Sequence, residues 1–184
     1  VRYRVPNKNQ CKECHASGDG IVPIGPKPRN LDKDFDYPDQ RMNQLVKWSQ
    51  MNIIDDYPQN VQPVADFTDP SKDIEARARA YLAINCGHCH SPKGSASSTG
   101  LYLNYGEKRP KQLGILKPPV AAGRGSGGLK YSVVPGDPDA SILLFRMISD
   151  DPAIMMPESG RSIIHKEAVS LIYDWIERME GEAR

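Results

Sequence analysis

Long apolar runs are missing from this chain. No stretch of about 18 or more consecutive apolar residues occurs, so no segment reads as a membrane-spanning helix. Aromatic residues are scarce, at 7% of 184 residues, and the hydrophobic fraction of 39% is low for a folded chain of this length. Charge of one sign is missing as well. The 24 Lys and Arg residues nearly balance 23 Asp and Glu, for a formal net charge of +1, so the basic excess of a nucleic-acid-binding protein is absent. The opening Val-Arg-Tyr-Arg-Val-Pro has basic residues but no apolar centre after them, so it is not a signal peptide. Either a signal has been removed or the chain is a fragment of a longer protein. The second fits better, because "VRYRVPN" reads like the end of a strand.

Cysteine is also rare, and its placement is informative. All four cysteines fall in two copies of C-x-x-C-H: Cys11-Lys12-Glu13-Cys14-His15 and Cys86-Gly87-His88-Cys89-His90. This is the attachment pattern of haem c. Two thiols add across the two vinyl groups of the macrocycle, and a short helical turn spaces them for it. The following His reaches the iron from the proximal side. Other readings explain less. Disulfides would not require a His after each pair. A zinc site can use C-x-x-C twice, but His15 and His90 would then be spare. A thioredoxin-like pair would follow a strand in a βαβ unit, and no such pattern is present. Two haems would also supply the apolar bulk that two half-length domains of this composition need.

The two motifs divide the chain into similar halves, a weak internal repeat. "QCKECH" is expected at the end of a short helix, followed by a Pro/Gly-rich loop from Gly18 to Pro28. Asp39 to about Asn52 reads as a helix with Met42, Leu45, Val46 and Trp48 partly on one face. Asp55 to Pro70, rich in Asp, Pro and Gln, reads as a connection. A helix starting near Asp69-Pro70 carries Ile74, Ala78, Tyr81 and Leu82 at helical spacing and runs into Cys86. Residues 94–130 read as loop. Their Gly-rich stretch, Gly123 to Gly128, lacks the Lys-Ser/Thr of a phosphate-binding loop. A helix from Asp137-Pro138 includes Ile142, Leu143, Phe145 and Met147. A last helix from about Lys166 places Ala168, Leu171, Ile172, Trp175, Ile176 and Met179 on one stripe. No long alternating strand stands out, and the fold class expected is all-α.

Each half resembles a class I cytochrome c domain, with a helix, C-x-x-C-H, a Gly-Pro loop, a Met-bearing loop and a closing helix. The resemblance spans the chain and is most specific over residues 80–180, where "YLAINCGHCHSPKG", "VVPGDPDASILLFRM", "MMPESG" and "EAVSLIYDWIERM" follow the bacterial cytochrome c order. The chain also resembles the C-terminal dihaem module of larger exported bacterial cytochromes. The resemblance implies two cytochrome c-like haem domains in tandem, over residues 1–72 and 73–184. It implies two haem c groups held by Cys11, Cys14 and His15 and by Cys86, Cys89 and His90. In that family a loop Pro carbonyl accepts a hydrogen bond from the proximal His, and "IGPKPRNL" puts Pro26 in that place.

The family's distal iron ligand is a Met just before Pro in a late loop, which here is Met156, with Met155 as the alternative and loop packing as the ordinary role of either. His165 precedes the last helix and is expected to be a cap or surface residue. His88 points away from the iron in the attachment geometry. The first half departs from the pattern because it has no Met-Pro. Met51, at a helix end where the family's chain turns toward the haem, is the expected sixth ligand. Met42 is assigned to core packing. Lys27 would serve if burial removed its proton, and a five-coordinate iron is the remaining option. Arg124 is expected either to pair with a haem propionate or to be a surface cation.

These readings together describe a periplasmic, bacterial electron carrier with redox proteins as partners. Six-coordinate iron leaves no position for a substrate. The competing expectations are a dihaem peroxidase or oxidase with one open haem, and the electron-entry module of a larger redox enzyme. Asp32, Asp34, Asp36 and Asp39 form an acidic cluster. It is not a calcium loop, because Tyr37 stands where the turn Gly belongs and Asn43 where the closing Glu belongs. A solvated acidic loop is the reading adopted. If the cluster instead docks a basic redox partner, replacing these aspartates by Asn slows electron exchange at low salt. Stopped-flow rates that do not change remove the docking role.

Overall fold

The computed structural model describes residue 3 and residues 5–17, 20–121 and 123–180. The opening residues Val1, Arg2 and Arg4, and Gly18 at the head of the expected loop, lie outside the described residues.

The chain is mostly helical. Among the described residues the six α-helices are α1 (Lys8–His15), α2 (Pro28–Leu31), α3 (Gln44–Gln50), α4 (Ile74–Asn85), α5 (Ile142–Ile148) and α6 (Lys166–Glu177). Two single 3-10 turns lie at Ser97–Thr99 and Arg124–Ser126. The all-α expectation misses two small antiparallel ribbons. Ala16–Ser17 (β1) pairs with Gly20–Ile21 (β2), and Asp34–Asp36 (β3) pairs with Arg41–Asn43 (β4). Strands of two or three residues are too short to leave an alternating signature in sequence.

Capping residues set the helix starts. Asn7 caps α1: its side chain accepts from the N–H groups of Asn9 and Gln10, while the Gln10 side chain returns to the Asn7 N–H at 3.0 Å. The helix expected from Asp39 begins five residues later, because Asn43 caps it by accepting from the Leu45 N–H at 3.0 Å. Met42 is therefore not on that helix. It lies in β4 opposite Phe35. Similarly, α4 starts at Ile74 rather than near Asp69, because Asp73 accepts from the Ala76 N–H at 2.9 Å. Asp69 instead closes a turn with the Ser71 N–H. The last helix starts at Lys166, as its periodicity implies.

The hydrophobic core lies between residues 78 and 176. Ala78, Tyr81 and Leu82 of α4 meet Ala168, Leu171, Ile172, Trp175 and Ile176 of α6, with Leu144 and Met147 of α5 and the loop residues Leu103 and Val133 closing the sides. Of these, Ala78, Leu82, Val133, Ala168, Ile172 and Ile176 are fully buried. Among the described residues before α4, Leu45 is the one buried apolar side chain. The acidic cluster of the first half is largely paired. Arg41 meets Asp36 at 3.2 Å and Asp34 at 3.7 Å, Lys47 meets Asp39 at 2.8 Å, and Asp32 accepts from the Asn43 amide at 2.8 Å.

The loop after the second C-x-x-C-H motif folds tightly on it. The Leu103 N–H donates to the His90 carbonyl at 2.8 Å, and a Cβ at Gly94 would collide with the carbonyls of Cys89 and His88. Replacing Gly94 by Ala should therefore cost about 1–3 kcal/mol. The same change at Gly106, where no atom lies within 4 Å of the added carbon, should cost little. Thermal unfolding of the two variants checks this: equal midpoints would mean that the loop does not close on the motif.

Candidate haem sites

Each C-x-x-C-H motif sits at the C-terminal end of a helix. Cys11, Cys14 and His15 occupy the last turns of α1, and Cys86 is the C-cap residue of α4. Where α4 ends, a cavity of about 350 Å³ opens between the ends of α4, α5 and α6 and the loop that carries Met156. Cys86 and His90 line it, as do Met156 and Pro157. Leu101, Leu103, Leu143, Met147 and Val169 supply apolar wall, and Arg146, Arg161, Lys117, His165 and Tyr81 bring the polar groups.

The surroundings set the chemistry of these groups. Burial pushes the His90 ring down to about 4, helped by the nearby Arg146 cation, so the ring is neutral at pH 7. A neutral imidazole is the form that ligates a metal. His90 Nδ1 is buried without a hydrogen-bond partner, although the Leu101 carbonyl lies close enough to favour its proton. Burial also pushes the Cys86 thiol up to about 12. The cavity thus offers a neutral His and a thioether from opposite segments inside a mostly apolar pocket, with cations at its walls. That donor set fits a haem with His and Met axial ligands and ionised propionates.

One member of the second motif faces elsewhere. Cys89 does not line the cavity. Its thiol donates to the Glu13 carbonyl of α1 at 3.2 Å. The Ser95 hydroxyl donates to the same carbonyl, and the Ser159 hydroxyl donates to Glu13 Oε2 at 2.6 Å. Attachment of haem at Cys89 would require its thiol to leave Glu13. Cys14, His88 and Cys89 also converge here, with their donor atoms all within 4.8 Å of one another. Crowding shows in the Cys14 thiol, raised to about 11 by burial and by neighbouring Cys89.

The first motif is less enclosed. Neither the cavity above nor a second one, of about 500 Å³ beside α1, is lined by Cys11, Cys14 or His15. His15 Nδ1 lies 3.2 Å from the Val22 carbonyl, and the Val22 N–H returns to the His15 carbonyl at 2.8 Å. Val22 therefore stands where Pro26 was expected. The chain reverses through β1 and β2 before Pro26 is reached, and Pro26 is exposed. Met51 caps the C-terminus of α3 with 56% of its surface exposed and lines neither cavity. The Lys27 ammonium, lowered by burial and by Arg29, lies near enough to join His15 in holding down His88.

Three other residues singled out in the sequence have clear surroundings. Met155 lines the second cavity, so of the adjacent pair it is Met156 that shares a cavity with His90. Arg124 pairs with Asp151 at 2.6 Å on the surface, away from the cavity lining. His165 occupies the cap position of α6 but makes no side-chain cap. Its ring contacts the Tyr81 hydroxyl at 3.2 Å and the edge of Phe67, and it lines the cavity. Sequence reasoning missed Arg146, Arg161 and Leu101. A clue to Leu101 lay in the spacing after His90, where "TGL" stands in the position of a Gly-Pro loop.

Burial of His90 has a measurable consequence in the haem-free chain. The unfolded His binds its proton near 6.5, and the folded one only near 4. Stability is therefore insensitive to this group above pH 6.5 and falls as pH drops toward 4, by at most about 1.4 kcal/mol per pH unit. His88, also lowered by burial, acts in the same sense. Denaturant titrations should show a shallower acid-side slope in His90→Gln. An identical slope would mean that the ring is solvated.

No family model, curated protein or solved structure matches this chain.

Proposed function

We propose that the chain is a dihaem c-type cytochrome of the bacterial periplasm, carrying single electrons between redox partner proteins. In this reading residues 1–72 and 73–184 are two cytochrome c-like units in tandem. The observation that carries the reading is a neutral, partly buried His90 lining the same mostly apolar cavity as Met156 and Cys86. Two intact C-x-x-C-H motifs add to it.

The haem supplies the redox change, one electron between ferric and ferrous iron. The chain's residues do the rest. Cys11 with Cys14, and Cys86 with Cys89, tether the group through thioethers. His15 and His90 present imidazole nitrogens, the first oriented by the Val22 carbonyl. Met156 would hold the second iron from the other side and, as a weak donor, would favour its reduced state. Leu101, Leu103, Leu143 and Val169 keep water off that face. Arg146, Arg161 and Lys117 offer cations to the propionates.

Two other readings each rest on one observation. Exposure of Met51 leaves the first haem without an evident sixth ligand, which favours a peroxidase-type or oxidase-type enzyme with one open iron. Convergence of Cys14, His88 and Cys89 favours a zinc site in place of haem.

One experiment separates the three. Optical spectra of the purified chain, oxidised, reduced, and reduced under carbon monoxide, are combined with iron and zinc analysis. Two irons per chain, both low-spin, a Met–iron charge-transfer band and no carbon monoxide binding are expected for the electron carrier. Carbon monoxide on one of two haems would move the enzyme reading to first place. Zinc without haem would overturn the cytochrome.

A further inference from the structure

Two arginines hold the loop that carries Met156, and neither belongs to a C-x-x-C-H motif. Arg161 Nη1 donates to the Met156 carbonyl at 3.0 Å and to the Met147 carbonyl at 2.7 Å. Its Nη2 donates to the Ser149 carbonyl. Met147 and Ser149 are the end and C-cap of α5, where carbonyls lack helical partners and the dipole is negative. One guanidinium thus ties the Met156 backbone to a rigid helix end. Arg146, on α5 itself, adds a second tie. Its Nε donates to the Ile154 carbonyl at 2.7 Å, and its carbonyl accepts from the Met156 N–H at 3.0 Å.

We infer that Arg161, and Arg146 beside it, are positioning residues that keep the Met156 thioether aimed at His90, setting how readily that position opens to an outside ligand. The inference rests on the haem reading above. Physically, the loop has a closed state with Met156 facing His90 and an open one in which it swings away. An outside ligand binds only the open state, so its apparent affinity falls in proportion to the open fraction. Three charge-assisted hydrogen bonds from one planar fork bias the loop toward the closed state. Lysine keeps the charge but cannot span three carbonyls in one plane.

The test uses imidazole as the outside ligand, titrated into the ferric, haem-loaded full chain while the Met–iron charge-transfer band is followed. Arg161→Met is expected to bind imidazole at least about tenfold more tightly than the unaltered chain, and Arg161→Lys by an intermediate factor. Ile176→Val, which loosens the core away from the loop, reports general destabilisation and should leave imidazole affinity unchanged. If Arg161→Met does not accumulate, Arg161→Lys decides. Wild-type affinity in the haem-loaded arginine variants overturns the clamp, as does an equal shift in Ile176→Val. Absence of the charge-transfer band from the unaltered chain overturns instead the assignment of Met156 as ligand, and the clamp with it.

Discussion

The second half of this protein depends on the face where α4 lies against α6. Ala78 and Ala168 are both fully buried there, and two small residues on facing helices let the backbones come close. Leu82, Ile172 and Ile176 fill the remaining space, each worth about 1.5–3 kcal/mol in apolar surface removed from water. This contact fixes two points that the site requires. The C-terminus of α4 delivers Cys86, and the N-terminus of α6 delivers His165 against Tyr81. With α5 docked on α6, the cavity is the space left between three helix ends.

Helix ends expose backbone polar groups, so a cavity built from them needs polar partners in its walls. Arginine fills this role repeatedly. Arg161 and Arg146 take up carbonyls at the end of α5 and in the Met156 loop. On the other side, the buried Arg79 of α4 donates to the Glu107 carbonyl at 2.7 Å and steadies the loop behind Leu103. That loop in turn holds the His90 carbonyl. Arg161 and Arg79 are matched to carbonyls, while Arg146 also meets the Glu158 carboxylate at 3.5 Å, so part of the positive potential remains over the cavity. Such a field favours an anionic edge on a bound group and opposes a proton on His90.

Legibility in the sequence followed local signal strength. The α6 stripe from Ala168 to Ile176 repeats at helical spacing with no competing cap, and both its start and its buried face were readable. The α4 stripe was readable as well, but its start was not, because Asp69 and Asp73 are both plausible caps and only backbone geometry chooses between them. Met42 was misassigned for the same reason: the Asn43 cap places it in a ribbon of three residues. Within the site, the C-x-x-C-H residues could be read from their spacing, whereas the preference for Met156 over Met155 came from the family resemblance. Arg146 and Arg161 could not. Their role comes from carbonyls five to fourteen residues away that fold under them, and no residue type marks a carbonyl. Nor could the sequence show that a two-residue ribbon brings the Val22 carbonyl, rather than that of Pro26, beside His15.

The two halves are held by different physics. The second has a continuous core, whereas among the described residues the first buries only Leu45. Its ties to the second half at Glu13 are polar: the Cys89 thiol and Ser95 hydroxyl on the main-chain carbonyl, and the Ser159 hydroxyl on the carboxylate. Hydrogen bonds of this kind contribute about 0.5–1.5 kcal/mol each. Three of them are worth little more than one buried leucine, and far less than the ordering entropy of some seventy residues. The first half therefore needs a further source of apolar burial. In the proposed reading a haem held by the thiols of α1 would supply it, and cofactor attachment would then be part of how this segment folds.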